Sequence, residues 1–309
     1  MRALFVIALA ITLTAAVFAD DAAVDTSDVQ HIEQREQPEQ PQQQPKAFRH
    51  ADATELLSAE AEAPRLEATA GYKASTPTTI GRTVLWVGFA CMALSTLYFV
   101  QQAYSFEIFQ RKFHYVSAGI TGIAALAYLC MSLDIGVSSD EGGRSFYWAR
   151  YVDWTLTTPL LLVDLGLLAG VHYNELIYVI IMDILMIVAG LIGGLYADDP
   201  YKGWPLFVFG MIVFLPIILS LTTSMKEKAL SFASDVGARF NQLSVMTVLL
   251  WSAYPVVWVI AEGTKVIPVD LEIVLYAILD VSAKCLFGFI LLANRSLIER
   301  ATGQALAAQ

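Results

Sequence analysis

From residue 83 onward the chain reads as seven apolar runs separated by short polar breaks: 83–103, 115–136, 146–170, 173–196, 203–223, 239–261 and 268–293. Each is close to the ~20 residues that cross a bilayer as a helix. A helix satisfies its own backbone polar groups where no water can reach them. The breaks are short, so consecutive runs should lie antiparallel. The fold expected is an all-α membrane protein, a bundle of seven transmembrane helices spanning 79–296, followed by a short tail, 297–309.

The pattern ahead of the bundle is different. Residues 1–19 begin with Arg2, run apolar from Leu4 to Phe18 and reach Ala19 just before Asp20 and Asp21. A charged start, a brief apolar stretch and a small residue at the cut are the marks of a secretory signal peptide. The stretch is short for a span, which leaves an uncleaved anchor as the alternative. Residues 20–78 are rich in Gln, Glu, Pro and Ala, as in the run Gln37-Pro38-Glu39-Gln40-Pro41. Such a segment buries too little apolar surface to offset its chain entropy, so a disordered acidic extracellular tail is expected.

Composition sharpens this reading. The 309 residues are 56% hydrophobic and 16% charged, whereas soluble domains carry about 25% charge. The net charge is −10, and residues 20–80 supply −7 of it, with twelve acidic against five basic residues. The acidity therefore belongs to the tail, and nothing points to nucleic acid. Cys91, Cys130 and Cys285 all sit in apolar runs, with no paired or metal-ligand spacing.

Orientation follows from the basic residues beside the runs. Arg111, Lys112, Lys226, Lys228, Arg239, Arg295 and Arg300 fall on one side; Arg144, Lys202 and Lys265 fall on the other. The first side is expected in the cytoplasm, with the N-terminus outside and the C-terminus cytoplasmic. A cleaved signal requires the same orientation. The destination is the plasma membrane or an endomembrane reached through the secretory pathway.

Six ionisable residues lie inside the runs: Arg150, Asp153, Asp164, Asp183, Asp280 and Lys284. A lone charge at mid-membrane costs at least about 2.5–3.5 kcal/mol, so such groups mark a pathway or a ligand site. Lys284 lies one turn after Asp280, on the same helix face. It is either half of a structural ion pair or an amine held for Schiff-base chemistry with a carbonyl compound.

Arg150, Asp153, Thr157 and Asp164 recur on one face of the third run. Asp153 and Asp164 are about 16 Å apart along the axis, which suits a relay with a carrier between them. A Schiff-base cation and Arg150 would favour the charged form of Asp153. Asp164 lies among leucines, and burial without a cation favours the neutral form. It is therefore expected to hold its proton at rest, or else merely to tie two helices together. Trp251, Tyr254, Pro255 and Trp258 repeat at helical spacing in the sixth run, a stripe that by itself suits core packing as well as a cofactor box.

Three motifs now stand in order. Arg150-Tyr151-Val152-Asp153-Trp154-Thr155-Leu156-Thr157-Thr158-Pro159 continues to Asp164. Trp251-Ser252-Ala253-Tyr254-Pro255-Val256-Val257-Trp258 lies in the sixth run, and Leu279-Asp280-Val281-Ser282-Ala283-Lys284 in the seventh. Together they resemble the third, sixth and seventh helices of microbial (type I) rhodopsins, especially bacteriorhodopsin and its fungal-type proton-pumping relatives. The resemblance covers roughly residues 80–295.

That resemblance implies a light-driven outward proton pump, a transporter and not an enzyme. All-trans retinal would be bound covalently to Lys284 as a Schiff base. Asp153 would be counterion and proton acceptor, with Asp280 completing the counterion alongside Arg150, Tyr128 and Tyr254. Thr157 would hydrogen-bond near Asp153, and Asp164 would be the cytoplasmic donor. Tyr151, Trp154, Thr158, Leu161, Met186, Gly190, Trp251, Tyr254, Pro255, Trp258 and Ala283 would line the polyene. Asp183 would be structural, and Glu262 with Glu272 would form the extracellular release pair. A homotrimer in the lipid bilayer is the assembly implied, and a metal is not. A carboxyl at Asp164 separates pumps from many sensory and channel members. A slow-cycling photosensor is the alternative, and a light-gated channel a third reading.

The chain departs from the family pattern in three places. The fifth run, Trp204-Pro205-Leu206-Phe207-Val208-Phe209-Gly210, matches poorly. One residue is missing between Trp258 and Glu262, which places Lys265 between the two glutamates and bears on release. No histidine is expected in the membrane interior.

Overall fold

The computed structural model describes residues 75–140 and 142–307. The expected leader and nearly all of the expected tail therefore lie outside the described residues. Among those described, seven spans are long and apolar enough to cross a membrane. The first four are single helices: α1 (Thr79–Ala103), α2 (Lys112–Ser132), α3 (Trp148–Ala169) and α4 (Tyr173–Leu195). The fifth joins α5 (Pro200–Thr222) to α6 (Ser224–Phe232). The sixth joins α7 (Ser234–Trp258) to a π-helical turn, Val259–Gly263. The seventh runs through α8 (Val269–Asp280), a π-helical segment (Val281–Leu286) and α9 (Phe287–Leu292). A final helix, α10 (Arg295–Ala307), follows.

The bundle is apolar outside and charged inside. Leu94, Leu97, Leu126, Ile212, Leu215, Leu219 and Leu249 are exposed, whereas Arg150, Asp153, Asp164, Asp183, Asp280 and Lys284 are buried. Water would favour the reverse, so the outward face is matched to lipid. Consecutive helices α1 to α4 pack in sequence, and α8 returns to α1. Thr78 helps close the ring. Its hydroxyl accepts from Ile80 N at 3.2 Å, capping α1, and donates to Asp270 Oδ2 on α8 at 2.5 Å. Most of α3 is buried, so it runs through the middle of the bundle and presents side chains to several neighbours.

Helix ends follow local chemistry. Gly170 ends α3 in the left-handed conformation, φ 66°, which costs a residue without Cβ little. Asp199 caps α5 by accepting from Tyr201 N at 3.0 Å, with Pro200 in the first helical position.

Several boundaries differ from the sequence expectation. The apolar run to 136 stops being helical at Ser132, because Asp134 and Gly136 adopt positive φ. The chain then forms an antiparallel pair, β1 (Ser138–Ser139) and β2 (Ser145–Phe146). Residues 224–232, expected in a connection, form α6, which buries Met225 and Ala229. The segment expected as a tail is helical from Arg295, because Leu297, Ile298 and Ala301 make one apolar face that is buried in the core. Helix α2 starts three residues earlier than expected and so carries His114, which is 1% exposed. The expectation of no interior histidine is corrected accordingly.

Candidate functional site

The centre of the bundle is built around Lys284, in the π-helical segment of the seventh span. Single π-helical turns are rare and concentrate at functional positions; here one carries Lys284 and the other Glu262. Lys284 Nζ lies 2.5 Å from Asp153 Oδ2 and 3.0 Å from Asp280 Oδ1. All three side chains are buried. Two carboxylates and one ammonium leave an excess negative charge in a buried site, so additional donors are needed to support the anions.

The two carboxylates are supported unequally. Asp280 also accepts from Tyr128 Oη at 2.8 Å, Trp154 Nε1 at 2.9 Å and Tyr254 Oη at 2.9 Å. Asp153 has Lys284 on Oδ2, and its Oδ1 has no hydrogen-bond partner among the described residues. Thr157 lies one turn away and donates to the Asp153 backbone carbonyl at 2.8 Å. The structure thus brings Tyr128 and Tyr254 to Asp280 as expected, but it does not bring Arg150 there. Helical side chains lean toward the N-terminus of their helix, and Arg150 accordingly points away from Asp153 toward Glu272.

Beyond Arg150 the site becomes an ionic network. Glu272 accepts from Arg150 Nη1 at 2.9 Å and from Arg144 Nη2 at 2.7 Å, one guanidinium on each oxygen. The Arg150 guanidinium also lies over the Tyr276 ring, 4.2 Å from its centroid. Glu262 is buried with different partners: Tyr151 Oη at 3.3 Å and Tyr276 Oη at 3.3 Å. Each glutamate therefore has its own set of contacts. Lys265, which the sequence places between them, pairs with Asp140 at 2.6 Å and with Asp198. Burial opposes the Lys265 charge, but the hydrogen bonds it donates to Asp140 and Asp198 outweigh it and hold the amine above the ordinary lysine range.

On the other side of Lys284, Asp164 is buried among the leucines of α3 and accepts from Ser117 Oγ on α2 at 3.1 Å. Asp183 accepts from Thr158 Oγ1 at 2.6 Å, which joins α4 to α3. Asp153 and Asp164 thus stand on opposite sides of the lysine along one helix.

Lys284 also ends an apolar slot. Every polyene-lining residue expected from the sequence lies on its wall: Tyr151, Trp154, Thr158, Leu161, Met186, Gly190, Trp251, Tyr254, Pro255, Trp258 and Ala283. The wall further includes Ile187, Phe207, Gly210, Met211 and Tyr276. Phe207 stacks on Trp258 with ring centroids 4.7 Å apart and planes inclined by 17°. Lys284 is the one charged residue of this wall. A long flat apolar aldehyde fits such a slot, with an amine at its end and aromatic faces along its sides.

Comparison with known proteins follows the same lines. Residues 79–297 match the family model described as "Bacteriorhodopsin-like protein". Archaerhodopsin-2 of Halobacterium sp. (strain aus-2) is 37% identical over 222 residues, covering 69% of this chain and 85% of that protein. The opsin-like protein carO of Fusarium fujikuroi is 37% identical over 227 residues, covering 70% and 73%. Among solved structures, the light-driven proton pump LR (Mac) from Leptosphaeria maculans matches with a TM-score of 0.70 at 31% identity, covering 73% of this chain and 98% of that one. The light-driven proton pump CsR, Coccomyxa subellipsoidea rhodopsin, matches with a TM-score of 0.68 at 32% identity, covering 71% and 99%.

Proposed function

The chain belongs to the bacteriorhodopsin-like family, whose members hold retinal through a Schiff base to a lysine, and we propose that it is a light-driven pump moving protons outward from the cytoplasm. The observation that carries this reading is the placement of two buried carboxyls, Asp153 and Asp164, on one helix and on opposite sides of Lys284. In the proposed orientation the Arg295 end faces the cytoplasm and the Lys265 end faces outward. The excess of basic residues at the Arg295 end supports it.

Lys284 would hold retinal in the apolar slot, where light changes the direction and proton affinity of the lysine nitrogen. The Lys284 ammonium corresponds to that nitrogen in its protonated form. Trp251, Trp258 and Phe207 orient the chain of the chromophore and exclude water from it. Asp153 takes the proton that the lysine nitrogen loses, because Oδ2 is already 2.5 Å away, while the other carboxylate is tied up by three further donors. Asp280 remains the fixed counter-charge, held by Tyr128, Trp154 and Tyr254.

On the outer side, Arg150 pairs with Glu272 and lies between that carboxylate and the Tyr276 ring. With Asp153 neutral, the positive charge of Arg150 beside Glu272 and Tyr276 is less offset from the lysine side, and this favours loss of a proton from Glu262. Glu262 is the releasing group of this pair. Glu272 serves as the anion that anchors Arg144 and Arg150. On the inner side, Asp164 holds a proton at rest, gives it to the lysine nitrogen and is refilled from the cytoplasm.

The test is to express the full chain with retinal and record external pH under illumination, with and without a protonophore. Acidification abolished by the protonophore is the expected result. A coloured protein in the same orientation that leaves the pH unchanged would replace the pump with a photosensor.

A further inference from the structure

A second cavity, of about 330 Å3, lies at the Arg295 end, between α1, the turn before α2 and the end of the seventh span. Its lining side chains with polar groups are Tyr98, Gln102, Ser105, His114 and Arg295. Ser105 and Arg295 are exposed, so the cavity reaches the surface there. His114 forms part of its wall yet is 1% exposed, and its ring packs on Phe106 with centroids 4.4 Å apart. Its Nδ1 is buried with no hydrogen-bond partner among the described residues. An unsatisfied buried polar group costs about 1–3 kcal/mol, so its presence calls for a reason.

The next turn of the same helix supplies one. Residues three apart share a helix face, and three residues after His114 comes Ser117, whose hydroxyl donates to Asp164. A surface cavity, an imidazole, a hydroxyl and the buried carboxyl therefore follow one another along α2. The cavity has room for several waters at about 30 Å3 each. The charged groups around its mouth are Arg295, which lies over the Phe106 ring and pairs with Glu299, and Arg111, whose Nε donates to the Phe106 carbonyl.

We propose that His114 takes protons from the cytoplasmic cavity and passes them along the Ser117 face of α2 to Asp164. Imidazole suits this role because a neutral ring has one nitrogen that can accept a proton and another that can give one up. One proton arrives at one nitrogen, the proton on the other leaves for the Asp164 carboxylate, and the ring ends with its charge unchanged. The proposal rests on Asp164 being the internal donor.

The experiment follows the Asp164 carboxyl by time-resolved infrared spectroscopy, and proton uptake with a pH dye, after a flash on the full retinal-loaded protein. Proton transfer by a positioned side chain contributes about 10²–10⁴-fold, so His114→Ala should slow the return of the Asp164 proton by at least about tenfold. The earlier loss of that proton to the lysine nitrogen should keep its rate. Imidazole added to the medium should restore the return in His114→Ala. His114→Gln, which keeps bulk and polarity, should be slowed without this rescue. In the unaltered protein, transient imidazole bands should precede the Asp164 return.

Unchanged return rates in either variant, a slowed His114→Ala that imidazole leaves slow, or no imidazole bands in the unaltered protein would each overturn the relay while leaving the pump intact. No light-induced change at Asp164 in the unaltered protein would instead overturn the donor reading, and the relay with it.

Discussion

Arg144 Nη2 lies 2.7 Å from Glu272 Oε2, with both side chains buried. Arg150 holds the other oxygen of the same carboxylate. Two guanidiniums thus depend on one anion, and breaking a buried pair by removing one partner costs about 3–5 kcal/mol. Glu272→Gln should destabilise the protein by that order, read as earlier thermal loss of retinal absorbance in detergent. Adding Arg144→Gln should recover part of the loss, since one stranded cation is gone. If Glu272→Gln melts with the unaltered protein, the network is not what holds this end of the bundle together.

Asp153 is nearer Lys284 than Asp280 is, 2.5 Å against 3.0 Å, and lacks the three donors, Tyr128, Trp154 and Tyr254, that hold Asp280; that difference is the basis for assigning it the acceptor role. Asp153→Asn should reduce light-driven acidification to background. It should also move the absorbance to longer wavelength, because the cation at Lys284 loses its nearest counter-charge. Both effects are read on one sample, with a pH electrode and a spectrometer. Acidification that persists in Asp153→Asn would remove the residue from the transport path.

Most of the fold and the central site could be read from the sequence. Helical spacing alone put Arg150, Asp153, Thr157 and Asp164 on one face, and three motifs identified the slot around Lys284. The parts that could not be read depend on which residues meet across helices. Ser117 is an ordinary small polar residue in an apolar run, and only its 3.1 Å contact with Asp164 distinguishes it. Arg144 looks like a connection residue, because nothing in a loop sequence says that its side chain turns inward. Phe207, Gly210 and Met211 escaped because the fifth run carries no residue with distinctive chemistry. His114 was hidden by a boundary three residues out, which is enough to move a side chain from a helix end to the interior. The signal in its case is its position three residues before Ser117, and it becomes meaningful only once Ser117 is known to face Asp164.

The Ser117 contact predicts a graded effect on the donor. A single hydrogen bond contributes about 0.5–1.5 kcal/mol, and 1.36 kcal/mol is a factor of ten in rate. Ser117→Ala should therefore shift the Asp164 carboxyl stretch and change the rate of proton transfer to the lysine nitrogen by up to about tenfold. Asp164→Asn should slow that step far more. The comparison is made on the decay of the deprotonated intermediate in flash spectroscopy. An unchanged decay in Asp164→Asn would show that the lysine nitrogen is refilled by another route.

Tyr128 reaches Asp280 because Gly88 on α1 lets its ring lie close. A Cβ added at Gly88 would stand 2.4 Å from Tyr128 ring carbons, while the Tyr128 hydroxyl donates to Asp280 at 2.8 Å. Gly88→Ala must therefore displace the ring, at an overpacking cost of about 1–3 kcal/mol, and take a donor from the counterion. It should lower thermal stability and shift the absorbance together. Tyr128→Phe removes the donor and keeps the ring, so it should shift the absorbance by itself. Placed in the Tyr128→Phe background, Gly88→Ala should still lower stability, because the clash is with ring carbons, yet add little further colour shift, because the donor is already gone. An additional colour shift as large as in the unaltered protein would mean that Gly88 acts on the chromophore by some path other than Tyr128 and Asp280.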